Sequence, residues 1–153
     1  VYVSILLLLS LKIKRKQIIS LVIFGLILIL VTDQLTNLCK VQVGRLRPCF
    51  DFQLKDLVRL VKSSCGGKFS FFSGHASNSF ALAFFFGRVV KRHFKIVNII
   101  LIFIAGLISY SRIYIGVHYP LDIICGMIVG SIIGILFYRM WEKLIILLNI
   151  KNK

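Results

Sequence analysis

His118 and Asp122 lie four residues apart, with Pro120 between them. Proline suits the first turn of a helix, where its missing N–H costs nothing. A helix beginning near Pro120 puts the histidine and the aspartate on one face. Asp122 can then accept a hydrogen bond from one imidazole nitrogen, which fixes the tautomer and leaves the other nitrogen as a nucleophile. A helix N-terminus beside that nucleophile favours an anion. Arg112, in the preceding Ser111-Arg112 pair, can hold phosphoryl oxygens in its planar fork. Together these residue types point to phosphoryl transfer through a histidine.

Two further polar clusters have complementary chemistry. In Ser73-Gly74-His75, Gly74 lets the backbone approach a ligand closely. Ser73 and the amides near it can donate to a phosphate oxygen at a helix start, and His75 can protonate a leaving oxygen. In the stretch from Lys40 to Arg47-Pro48, Lys40 and Arg47 bring positive charge to where phosphoryl transfer spreads negative charge. Each cluster alone has a quieter reading. Lys40, Arg45 and Arg47 would serve as a basic patch against lipid headgroups, a histidine at a helix start is commonly structural, and Ser73-Gly74 reads as a helix cap. Their joint occurrence favours chemistry.

The elements that must position these clusters are apolar segments, read at Val1–Leu11, Ile18–Leu38, Ala76–Val90, Ile96–Tyr110 and Leu121–Met140. Of the 153 residues, 58% are hydrophobic. So many uninterrupted apolar runs exceed what a soluble core of this size needs, so much of the surface must face lipid. The expected fold is all-α, a polytopic transmembrane helix bundle of about five helices in one membrane-embedded domain over residues 1–153. The net charge of +15 fits a membrane surface or an anionic substrate, and the hydropathy excludes nucleic acid as partner.

If every segment spans, three basic clusters share one side: Lys12 to Lys16; Arg88, Lys91, Arg92 and Lys95; and Arg139, Lys143, Lys151 and Lys153. The positive-inside rule makes that side cytoplasmic. The other side receives all three polar clusters and eight of the 20 basic residues, an excess that an anionic substrate explains. Val1 opens inside an apolar run of eleven residues, about 16 Å long at ~1.5 Å per residue. It reads as the tail of a spanning helix whose beginning is missing. Gly126, Gly130 and Gly134 form one stripe, expected to let a neighbouring helix come close. Cys49 and Cys65 share the outer loop; a bridge between them and two thiols are both open readings. No cysteine–histidine spacing resembles a zinc site. Asp33, near the outer end of the second segment, could orient Lys40 or Arg47, or simply mark an interfacial helix end.

In order, Lys40 to Pro48, Phe72-Ser73-Gly74-His75, and Ser111-Arg112 through His118 to Asp122 resemble the type 2 phosphatidic acid phosphatase family, with its motifs KxxxxxxRP, PSGH and SRxxxxxHxxxD. Cys65-Gly66-Gly67-Lys68 and the run from His75 to Ala83 look like its bacterial membrane members. The resemblance implies His118 as nucleophile, Asp122 as its orienting partner and His75 as the acid. It implies phosphate binding by Lys40, Arg47, Ser73, Gly74 and Arg112, with no metal and no cofactor. The implied substrate is a lipid phosphate or diphosphate: undecaprenyl diphosphate, phosphatidylglycerol phosphate, phosphatidate or a lipid A phosphate. The implied place is a bacterial inner membrane, with the site on the periplasmic side. A phosphotransferase with the same intermediate and a non-catalytic lipid-binding protein are the alternatives. Phe72 departs from the motif's proline, which bears on the turn presenting Ser73 and His75. Membrane members of the family usually have six helices.

Overall fold

The structure is a computed structural model that describes residues 2–55, 57–58, 61 and 64–148. These form five α-helices: α1 Tyr2–Ser10, α2 Arg15–Val43, α3 Gly74–Lys91, α4 Lys95–Tyr114 and α5 Pro120–Leu147. Each apolar segment read from the sequence falls on one helix, and from α2 onward the helices run further. Hydropathy marks only the lipid-compatible middle, whereas helical hydrogen bonding continues through polar ends. Thus α2 takes in Lys40 and stops at Gly44, whose left-handed backbone (φ 64°) lets its N–H cap the Lys40 carbonyl at 3.0 Å.

Three helices, α2, α4 and α5, are long and apolar enough to cross a membrane. Their exposed faces carry Leu26, Leu30 and Leu38, then Ile99, Phe103 and Leu107, then Ile124, Ile128, Ile132 and Leu136. Apolar surface this extensive needs lipid rather than water against it. α3 differs because it is enclosed by α2, α4 and α5. Ten of its 18 residues are buried, among them Ser77, Phe85 and Val90, so its surface faces protein and it can carry small polar residues. α1, with 9 residues, rises only about 14 Å at ~1.5 Å each.

The glycine stripe of α5 lies against α3. A Cβ on Gly126, Gly130 or Gly134 would run into the backbone carbonyl oxygens of Ser73, Ser77 and Ala81 respectively. That close approach is the packing role expected of small residues spaced every four along a helix. It also fixes how α5 sits against the N-terminus of α3, where Ser73 and His75 are.

The two ends of the bundle have different chemistry. At one end Arg92 hydrogen-bonds the Tyr138 hydroxyl at 2.6 Å and pairs with Glu142, and Trp141 donates to Ser20 at 2.9 Å. A cavity of about 350 Å³ lies there, lined in part by Arg92, His93 and Trp141. The basic clusters after α1 and α3 belong to this end; Lys151 and Lys153 lie outside the described residues. The opposite end gathers the C-termini of α2 and α4 and the N-termini of α3 and α5.

Candidate active site

The loop after α2 doubles back on itself. Leu46 and Phe69 form an isolated antiparallel bridge; the Arg47 N–H donates to the Lys68 carbonyl at 3.1 Å, and the Ser70 N–H to the Arg45 carbonyl at 2.8 Å. Cys49 and Cys65 are joined in a disulfide that closes the same loop, with their Cα atoms 6.4 Å apart. Arg47 spends its fork on this loop, donating from Nη1 to the Cys65 carbonyl at 2.6 Å and from Nε to the Phe69 carbonyl at 3.2 Å. Gly66 lies directly under that guanidinium: its φ is +76° and a Cβ there would stand 3.2 Å from Nη1. Glycine meets both demands at once.

At the head of α3, Ser73 is fully buried and its hydroxyl oxygen accepts the Ala76 N–H at 3.4 Å, a helix cap. Its own N–H donates to the Asp122 carbonyl at 3.0 Å, tying α3 to α5. What comes close to Gly74 is Thr36 of α2, 3.2 Å from where a Cβ would stand. His75 follows in the first turn and is exposed. Phe72, in place of the motif's proline, is packed at 3% exposure.

At the head of α5, the Asp122 carboxylate turns back past the helix start. Its Oδ2 accepts the Tyr119 N–H at 3.0 Å and lies 3.4 Å from His118 Nδ1. His118 precedes the helix, so the pair meets through capping of the N-terminus by Asp122 and not through a shared helix face. Gly116 (φ 77°) makes the turn from α4, and the Val117 N–H donates to the Arg112 carbonyl at 3.2 Å. The Arg112 side chain bonds its neighbour Ser111 at 3.3 Å.

His118 is 5% exposed and Asp122 is fully buried. Burial is the main cause holding the imidazole below the ordinary histidine pKa; the Asp122 hydrogen bond opposes it, and the charges of Arg47 and Lys40 reinforce it. The balance favours the uncharged imidazole. The Arg47 guanidinium is pulled down by burial, with Asp122 working against that. Lys40 thus acts on His118 by its charge, and Asp33, which accepts a bond from Asn78 at 2.7 Å, acts on Lys40 in the same way. Among the described residues no three His, Cys, Asp or Glu side chains gather as a metal site requires.

The structure therefore gathers the three clusters at one end, with His118 and Asp122 in contact, Ser73 bonded to the Asp122 backbone, and Lys40 and Arg47 within electrostatic reach. One residue of this site was read in the sequence only as part of a basic patch. Arg45 Nη1 donates to Asp122 Oδ1 at 3.2 Å, and its guanidinium lies over the Tyr119 ring, 4.0 Å from the centroid. The available signal was its place two residues before Arg47, on the same side of an extended stretch.

The PAP2 superfamily model matches residues 2–146. The chain is 40% identical over 114 residues to the lipid A 4'-phosphatase of Bacteroides thetaiotaomicron, covering 73% of this chain and 50% of that protein. It is 38% identical to the Porphyromonas gingivalis lipid A 4'-phosphatase, over 80% of this chain and 52% of the relative. Phosphatidylglycerophosphatase B of Bacillus subtilis is 35% identical over 78% of this chain and 59% of its own. The chain thus spans about half the length of the curated relatives it matches. Among solved structures, the transmembrane PAP2 type phosphatidylglycerolphosphate phosphatase of Bacillus subtilis superposes with a TM-score of 0.66 at 29% identity, covering 79% of this chain and 59% of that one.

Proposed function

This chain belongs to the PAP2 superfamily, and on that premise we propose that it hydrolyses a membrane-lipid phosphate or diphosphate through a phosphohistidine on His118. The protein is an integral membrane protein with an all-α transmembrane bundle. The observation that carries the reading is the buried His118 held at Nδ1 by Asp122, with the charges of Arg47 and Lys40 acting on it.

In this reading the Nε2 lone pair of His118 attacks phosphorus in line with the leaving oxygen, forming a P–N bond as the P–O bond breaks. His75, exposed beside the site, gives its proton to that oxygen. Lys40, Arg47 and Arg112, with Ser73 and the amides at Gly74, receive the charge spread over the equatorial oxygens. Neutral His75 then takes a proton from water as it attacks phosphorus, the P–N bond breaks and inorganic phosphate leaves. Asp122 stabilises the imidazolium character that His118 gains in between. No step calls for a metal.

The site belongs at the outer membrane–water interface of a bacterial inner membrane, on the periplasmic side, where a lipid headgroup reaches it sideways from the bilayer. Opposite it stand the basic clusters after α1 and α3, as the positive-inside rule asks of a cytoplasmic face. The panel to test is undecaprenyl diphosphate, phosphatidylglycerol phosphate, phosphatidate and a lipid A phosphate. The protein carrying this chain, purified in detergent, is expected to release phosphate from at least one of them with EDTA present, and to lose that turnover on His118→Ala. Folded protein that releases none, or a His118→Ala variant that keeps turning over, would sink the proposal.

A further inference from the structure

We infer that Arg45 is a positioning residue, which holds the Asp122 carboxylate and, through it, the His118 imidazole in the attacking orientation. The inference rests on the phosphohistidine reading above and goes beyond it, because Arg45 occupies a variable position of the first motif.

Asp122 is fully buried, and its two carboxylate oxygens are used differently. Oδ2 serves His118 Nδ1 and the Tyr119 N–H, whereas Oδ1 has Arg45 Nη1 at 3.2 Å. Two contacts on one oxygen leave the carboxylate a torsion about its Cβ–Cγ bond. A charge-assisted bond to the other oxygen removes it. Taking Arg45 away would also strand a buried anionic oxygen, which is costly.

Arg45 is itself held at both ends. Its backbone carbonyl accepts the Ser70 N–H at 2.8 Å and the Ser70 hydroxyl at 3.3 Å. Its guanidinium lies on the Tyr119 ring, and the Tyr119 hydroxyl donates to Asp51 at 3.0 Å. The head group is thus pinned between an aromatic face and a carboxylate, an arrangement lysine cannot reproduce. The other two arginines of the site are engaged elsewhere, Arg47 with loop carbonyls and Arg112 with Ser111. Arg45 alone of the three hydrogen-bonds Asp122.

The Arg45 charge acts in the same direction as the geometry. Among the described residues, the charged and titratable groups at this end include Asp122 on α5, Asp33 and Lys40 on α2, Arg45, Arg47, Asp51, Lys55 and Lys68 on the loop, His75 on α3, Arg112 on α4, and His118 and Tyr119 before α5. Asp122 draws a proton toward His118, and Arg45 on its far oxygen tempers that pull.

The test is a double-mutant cycle on phosphate release, with Arg45→Gln, Asp122→Asn and both together, followed as kcat, KM and the pH dependence of kcat/KM. Arg45→Gln is expected to lower kcat about ten- to a hundredfold, the range typical of groups that orient a functional side chain from behind. KM should stay within about twofold, because only orientation is lost. Its acid limb should move to higher pH, and Arg45→Lys should bring the limb back while restoring only part of kcat. In the Asp122→Asn background, Arg45→Gln should add almost nothing, since it acts through that carboxylate. Multiplying losses, or a raised KM with kcat intact, would overturn the inference and make Arg45 a substrate contact. If Arg45→Gln does not yield a monodisperse protein, Arg45→Lys takes its place in the cycle under the same non-additivity requirement. Turnover surviving His118→Ala would overturn both readings, whereas losses that multiply in an enzyme silenced by His118→Ala would overturn this one alone.

Discussion

Gly126→Ala places one methyl group where α5 meets the head of α3. The added Cβ would stand 2.7 Å from the Ser73 carbonyl oxygen, 3.1 Å from the Ala76 Cβ and 3.3 Å from the Ser77 nitrogen. A carbon–oxygen contact needs roughly 3.2 Å or more, so the helices must part by about 0.5 Å, at an overpacking cost of about 1–3 kcal/mol. The relief must come from the backbone, because the nearest atom is a carbonyl oxygen and not the end of a flexible side chain. Gly106→Ala on α4 is the matched control, since a Cβ there meets nothing within 4 Å. It should gain up to about 1 kcal/mol from helix propensity alone, and comparing the two variants cancels that gain. At about 2–4 °C per kcal/mol for a chain of this size, thermal unfolding in detergent should separate them by roughly 2–12 °C, with Gly126→Ala lower. Ser73 also donates to the Asp122 carbonyl and heads the turn that carries His75. The same shift should therefore lower kcat about tenfold per folded molecule, since misplacement by about 1 Å can cost about a hundredfold. A Gly126→Ala protein as stable and as active as Gly106→Ala would refute the close packing of α5 on α3 and its control of the site.

Further outcomes follow from the same geometry. His118 must be uncharged to attack and its pKa is held down, so protonation removes activity only below the ordinary histidine value of about 6.5. The acid limb of kcat/KM should lie below that pH, and a limb above it would contradict the burial of His118. Arg47→Lys keeps a charge but loses the fork on the Cys65 and Phe69 carbonyls; it should cost about 1–3 kcal/mol of stability and more than tenfold in kcat/KM, read by thermal unfolding and phosphate release. Opening the Cys49–Cys65 bridge, whose cysteines are 16 residues apart, should remove about 3 kcal/mol. A reductant should lower the melting temperature of the protein and leave a Cys49→Ser/Cys65→Ser variant unmoved, with thiol alkylation and intact mass recording the bridge.

The apolar segments and the helices agree because lipid exposure is a local property: a residue facing acyl chains must be apolar whatever its distant neighbours do. α3 is the instructive exception. The sequence shows an apolar run there, but the helix does not meet the demands of a lipid-facing span, because Ser77, Phe85 and Val90 face other helices. The glycine stripe was equally legible, since a spacing of four on a helix defines a face before any partner is known. For His118 and Asp122 the expected contact is present, but its cause differs: capping by a carboxylate turned back on the helix start, with His118 outside the helix.

By itself, then, the sequence determined which segments become helices and which polar clusters share one end of the bundle. These follow from hydropathy, from the alternation of sides and from short-range spacing. Only the tertiary structure decided what each polar group touches. Ser73 became a buried cap, Arg47 was tied to its own loop, and Arg45 met Asp122 across 77 residues. Basic side chains spaced alike in sequence look interchangeable there. They acquire distinct roles only when the loop after α2 folds back through Leu46 and Phe69 and sets each guanidinium beside a different acceptor.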